Sequence, residues 1–114
     1  MLLDVRWLGF RLFHRHKAAV KAGIPIHYET AAVSLIEEDG MVRGVIARHK
    51  GRRVKIGAKA VVLACGGFES NAEMRTRYLG PTWDLAKVRG TRFNTGAGIN
   101  MALAIGAKPH GNWS

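Results

Sequence analysis

The residues with the clearest chemical potential are glycines. Cys65-Gly66-Gly67 closes an apolar run, AVVLAC, and two of its three positions have no Cβ. A chain without bulk there lets something flat or charged approach the backbone, with main-chain N–H groups as donors. A sharp turn from strand to loop explains the same glycines, and both readings stay open. A second cluster, Asn94-Thr95-Gly96-Ala97-Gly98, stands at the mouth of a predicted helix. Free N–H groups and the helix dipole favour an anion or an electron-rich carbonyl at such a place. It is not a G-x-G-x-x-G fingerprint, because Met101 occupies the third glycine's place and no strand clearly precedes it. A plain capped helix accounts for it equally well.

Other chemistries find little support. Cys65 has no local histidine or acid, and a cysteine ending a buried strand reads as packing rather than as a nucleophile. The histidines show no metal-ligand spacing. His14 and His16 are two residues apart and do not share a helical face, while His27, His49 and His110 are isolated and expected to be solvated. No metal site and no catalytic residue is assigned. Glu37, Glu38 and Asp39 sit together at a turn and read as surface. Arg48, Lys50, Arg52, Arg53 and Lys55 cluster around one hairpin end. Nucleic acid would call for aromatic side chains interleaved on those strands, and none occurs between Tyr28 and Phe68. A solvated hairpin whose edge is protected by charge is the better reading, and no nucleic-acid partner is expected. A small basic module for nucleic acid or an acidic partner is the alternative to the reading given below.

The elements that must position these residues follow from periodicity. Residues 3–22 are compatible with a helix, stopped at Gly23, although Trp7, Phe10 and Phe13 spread bulk around the axis. IPIHYET, residues 24–30, alternates as a strand does. Residues 32–58 read as a meander: AVSLIE, a turn at Asp39-Gly40, the return strand VRGVIARH, a turn at Lys50-Gly51, then RVKIGA. AVVLAC at 60–65 is apolar throughout, the pattern of a parallel strand covered on both faces. Ser70-Asn71-Ala72-Glu73 matches a capping box, predicting a helix from 71 to about 79 that ends at Gly80-Pro81. Residues 80–97 are irregular, and a last helix over 98–105 ends at Gly106.

The totals bound the rest. A chain of 114 residues is one domain in size, and 47% hydrophobic residues allow a small core. The net charge of +10 favours a negatively charged partner or cofactor. The single cysteine excludes an internal disulfide and fits a reducing compartment, so a cytoplasmic location is expected. No apolar run is long enough to span a bilayer. Asp4, Arg6 and Arg11 interrupt the N-terminal apolar stretch, which argues against a signal peptide. Trp113 lies one residue from the end, where a complete domain would have difficulty burying it. That points to truncation.

Taken together, KAGIPIHYET, LIEEDGMVRGVIA, IGAKAVVLACGGFESNAEMRTRYLG and NTGAGINMALAIGA resemble the FAD-dependent fumarate reductase and succinate dehydrogenase flavoprotein family. Within it, the pattern is most similar to the tricarballylate dehydrogenases and is similar also to the ketosteroid dehydrogenases. The resemblance runs from about residue 17 to residue 114. It implies an α/β fold: part of an FAD-binding domain of the two-dinucleotide-binding type, with a β-meander and a final core strand. It implies hydride transfer between flavin and a C–C bond beside a carboxylate or carbonyl, on a small carboxylate substrate, with the electron acceptor unassigned.

By the same resemblance, Ala64, Cys65, Gly66 and Gly67 run past the FAD. The Ala32 main chain bonds the adenine, and Asn94, Thr95, Gly96 and Gly98 lie near the flavin end. The departures are equally specific. Ala97 stands where the family usually has an acid. The G-x-G-x-x-G strand unit that seats the pyrophosphate does not occur in the chain. A capping domain with the catalytic Arg and His would follow Ser114. The expectation is an interior fragment, residues 17–114, lacking the N-terminal βαβ unit and the capping domain and inactive alone. Residues 1–16 form an atypical segment, such as a shifted reading frame or a remnant start would produce.

Overall fold

The computed structural model describes the backbone of residues 10–111 and of Trp113, with side chains from Arg15 onward. The start of the predicted 3–22 helix, the atypical residues before position 10 and the His14 side chain lie outside the described residues. Two compact units divide the chain, residues 1–62 and residues 63–114.

In the first unit, helix α1 (Phe10–Lys21) ends where the sequence places its stop. Gly23 takes a left-handed φ of 68°, and Ile24 N–H reaches back to the Ala19 carbonyl at 3.0 Å, closing the helix end. The strand expected at 24–30 does not form; regular pairing begins only at Thr30. Pro25 has no N–H to give a ladder, and Glu29 turns left-handed at φ 51°. The alternation of Ile24, Ile26 and Tyr28 therefore half-buries only Ile26. The Tyr28 hydroxyl instead meets His16 Nε2 of α1.

The predicted meander is present as β1 (Thr30–Glu38), β2 (Met41–His49) and β3 (Arg52–Gly57), antiparallel in that order. Both hairpin turns hold two successive residues at positive φ, Asp39 with Gly40 and Lys50 with Gly51, which matches the twist of the flanking strands. Cross-strand partners define the faces. Ala32, Ala47 and Val54 share one face with Leu35, Val45 and Ile56. Val45 and Ala47 are buried there, so this is the core side. Arg48, Arg53 and Lys55 lie on the opposite, exposed side. Register shifts put an extra residue in β1 at Val33 and another in β2 at Arg43, beside Gly44.

In the second unit, helix α2 (Ala72–Leu79) is followed by a single 3₁₀ turn at Trp83–Leu85 and by helix α3 (Ala97–Ala104). The cap of α2 is Asn71, whose side chain accepts the Met74 N–H at 3.1 Å. Ser70, the capping-box serine of the sequence reading, instead donates its hydroxyl to the Thr91 carbonyl at 2.5 Å. The fully covered strand expected at 60–65 is corrected. The run is in no ladder, Val62 is 88% exposed, and Leu63 to Cys65 are exposed as well. A parallel strand takes its hydrogen bonds from neighbours, and no described residue pairs with this one. Trp113 does find cover: its ring lies 4.7 Å from Tyr78 and 6.2 Å from Phe68.

Candidate flavin-binding loops

The two glycine clusters, 28 residues apart between Gly66 and Asn94, lie side by side in the second unit. Gly96 N–H donates to the Gly67 carbonyl and Ser70 N–H to the Asn94 carbonyl, each at 2.9 Å. Asn71 Nδ2 donates to the Thr95 carbonyl at 3.0 Å, and Asn94 Nδ2 to Glu69 Oε1 at 2.8 Å. The same asparagine that caps α2 thus also holds the second glycine loop.

Several glycines are required by this internal fit. Gly66 has φ 76°, and a Cβ on it would stand 2.8 Å from Asn94 Oδ1. Gly96, at φ 78°, would place a Cβ 2.3 Å from the sulfur of Met74, which is only 2% exposed. A Cβ on Gly98 would lie 3.1 Å from the Cys65 Cβ, so this glycine makes room for the cysteine. Gly67 differs. Its added Cβ would meet only the carboxylate end of Glu69, the group that accepts from Asn94 Nδ2.

The surfaces beside these contacts are open. Ala64, Cys65 and Gly66 are exposed and hydrogen-bond to no described residue. Their backbone amides and carbonyls face solvent as available donors and acceptors. At the start of α3, Gly96 provides no side-chain cap, and the N–H groups of Ala97, Gly98 and Ile99 find no acceptor among the described residues. Unused main-chain groups in an exposed loop, joined to unused donors at a helix start, suit a flat, acceptor-rich ligand that carries negative charge. FAD is such a molecule, and the residues present fit it. Ala32 lies in the other unit, half-buried on β1 opposite Ala47.

Cys65 was read as packing, yet its residue is exposed and its thiol free; only its contact with Gly98 answers to that reading. His49 was expected to be isolated and is not. Thr30 Oγ1 donates to the Tyr28 carbonyl at 2.7 Å. Its single proton is used there, so the 2.9 Å contact with His49 has the histidine Nδ1–H donating to Thr30. His27 and His110 are exposed, as expected. No cluster of metal-ligating side chains occurs among the described residues.

The residue that sequence reasoning passed over is Arg75. It is 7% exposed. Its guanidinium donates to the carbonyls of Trp83 at 2.8 Å, of Asp84 and Ala86 at 3.1 Å each, and of Glu69. It fastens the 3₁₀ turn to α2 and also holds the residue that anchors Asn94. A charged residue three positions after Ala72 reads as a solvated helix face, so nothing local marked it.

The sequence profile of the FAD binding domain family matches residues 6–113. The chain belongs to that family, among the FAD-dependent oxidoreductases of the fumarate reductase and succinate dehydrogenase type, and FAD is the cofactor the family takes. It is similar to the 3-oxosteroid 1-dehydrogenase of Mycobacterium tuberculosis, 37% identical over 93 residues, covering 76% of this chain and 16% of that protein. It is also similar to a probable fumarate reductase of Shewanella frigidimarina, 38% identical over 94 residues, covering 80% of this chain and 16% of that one.

Among solved structures, the open conformation of a flavocytochrome c3 fumarate reductase matches 82% of this chain and 17% of its own, at TM-score 0.77 and 37% identity. The 3-ketosteroid Δ1-dehydrogenase of Sterolibacterium denitrificans matches the same shares at TM-score 0.76 and 33% identity. The chain thus spans about one sixth of the length of these relatives. Their names are steroid dehydrogenases and fumarate reductases; tricarballylate dehydrogenase, the nearest likeness read from the sequence, is not among them. No helix among the described residues is long and apolar enough to cross a membrane.

Proposed function

We propose that residues 17–114 are an interior piece of the FAD-binding domain of a dehydrogenase or reductase acting on a C–C bond beside a carbonyl or carboxylate. The observation that carries this is the open main chain of Ala64–Gly66 bonded through Gly67 to the unfilled N-terminus of α3. FAD, when bound, supplies hydride acceptance or donation. The chain's own part is to hold and orient it. Ala64, Cys65, Gly66 and Gly67 offer a backbone with little side-chain bulk, and the main-chain groups of the first three are unused among the described residues. Asn94, Thr95 and Gly96 form a loop fixed by Glu69, Asn71 and Gly67, and Gly98 offers an N–H at the start of α3 that has no acceptor among the described residues. The Ala32 main chain takes the adenine.

No residue of this chain is assigned as acid or base in the reaction, so the chain alone turns over nothing. Tricarballylate-like carboxylates are the substrate class favoured by the residue pattern, and ketosteroids are the competing class favoured by the relatives' names. A free thiol at Cys65 fits a cytoplasmic location.

The test is a titration of FAD into the purified chain, followed by flavin fluorescence. Saturable binding is expected, and Gly67→Ala should weaken it by about tenfold while leaving the circular dichroism unchanged, because within the chain its Cβ meets only the Glu69 carboxylate, which holds the Asn94 side chain but no helix or strand. Equal binding by both proteins, or none by either, refutes the assignment. Dye reduction is expected to stay at background with tricarballylate, fumarate or a 3-ketosteroid. Steady substrate-dependent reduction would show that the chain holds its own catalytic groups.

A further inference from the structure

We propose that the outer face and tip of the β2–β3 hairpin form a docking surface for an extended acidic segment of another protein. This goes beyond the flavin reading and does not depend on it. Within residues 48–55, five of eight side chains are Lys or Arg and none is acidic. Sheet register places Arg48 directly opposite Arg53, with Lys55 next along the same exposed face. Like charges directly across an antiparallel pair destabilise it. Nothing among the described residues relieves them. Among the described residues, the one carboxylate within 4 Å of these cations is Glu38, 3.8 Å from Lys55, and both of those side chains are more than half exposed. Arg48, Lys50, Arg52 and Arg53 make no ion pair or hydrogen bond through their side chains to any described residue.

The spacing selects the partner. Arg53 and Lys55 are two residues apart on one strand, hence about 7 Å apart along it. That is the repeat of same-face side chains in any extended peptide, so alternate Asp or Glu residues would meet them in register. β3 is also an edge of the described sheet, so its outer backbone groups are open to strand addition. Single-stranded nucleic acid fits less well, because β2 and β3 contain no Phe, Tyr or Trp on which a base could stack, and their one imidazole, His49, is half-buried and bonded to Thr30. A lipid surface fits less well too, since the tip, His49-Lys50-Gly51-Arg52, has no apolar side chain to enter it.

The experiment is fluorescence anisotropy of a labelled peptide alternating Glu and Thr, titrated with the full chain at about 50 mM salt, where surface charge is weakly screened. Saturable binding is expected. R48S/R53S should weaken it by about tenfold, whereas K87S/R89S, which removes the same charge from an exposed segment of the second unit, should change it by less than about twofold. R48K/R53K keeps the charge and should restore binding to within about threefold, which separates lost charge from lost folding. The proposal fails if no saturable binding occurs, if the two serine pairs weaken it equally, or if the lysine pair does not recover it. It fails equally if a single-stranded oligonucleotide or phosphatidylserine vesicles bind more tightly than the peptide.

Discussion

At Gly44 the backbone runs at φ 151°, and a Cβ would stand 2.2 Å from the Ile56 carbonyl oxygen on the neighbouring strand. Neither atom can move without breaking the ladder. Gly44→Ala should therefore cost at least about 3 kcal/mol, read as a lower urea midpoint. The flavin loops contrast with this. Gly66 is hemmed in by the Asn94 side chain and Gly96 by buried Met74, whereas a Cβ on Gly67 would meet only the end of the exposed Glu69 side chain, so Gly67 is the glycine whose substitution disturbs the fold least. Arg75 is the other residue on which much depends. Arg75→Met keeps most of the buried stem but takes the guanidinium from four carbonyls, of which that of Trp83 keeps the Ala86 N–H. A loss of about 3 kcal/mol is expected, with faster amide exchange across residues 83–86. Unchanged exchange there would show that the clamp does not hold that turn.

Helix α2 is set by one side chain doing two jobs. Asn71→Ala should cost about 1 kcal/mol for the cap, and should also loosen the Thr95 loop through loss of the Nδ2 bond. Asn71→Asp keeps the cap acceptor and loses only that second bond, so thermal unfolding should recover more fully than FAD binding does. A capping box led by Ser70 would give the opposite pattern, with Ser70→Ala melting the helix. In the structure that serine instead ties the chain to Thr91. The meander was legible because its signals are local: two turns with a glycine at the second central position, and alternation that survives two bulges. The strand expected at 24–30 failed for a local reason too. Pro25 and the left-handed Glu29 break pairing although the alternation is intact.

At the scale of the whole chain, the apolar run at 60–65 sets an expectation for solution behaviour. An apolar segment with Val62 at 88% exposure and no strand partner among the described residues is a template for pairing with another copy. Self-association should rise with concentration, and Val62→Lys should lower it, as followed by light scattering. If scattering were equal in both proteins, this run would not be the contact. The basic hairpin contributes the opposite tendency, because exposed Arg and Lys keep the β3 edge from pairing with its own kind.

The sequence by itself determined the family, the cofactor, the meander with its two turns, and the two short helices that follow. Each rests on neighbours in the chain: turn glycines, a capping box, and a pattern of motifs that the FAD binding domain profile matches over residues 6–113. Tertiary structure decided what those glycines face. It brought Gly66 against Asn94 and Gly96 against Met74, contacts between residues more than 20 positions apart that no periodicity encodes. It also decided that the run reading as a buried strand is exposed, since burial depends on which strands stand beside it. And it made Arg75 a structural clamp, because a guanidinium reaches carbonyls that only the folded path of residues 83–86 brings within its grasp.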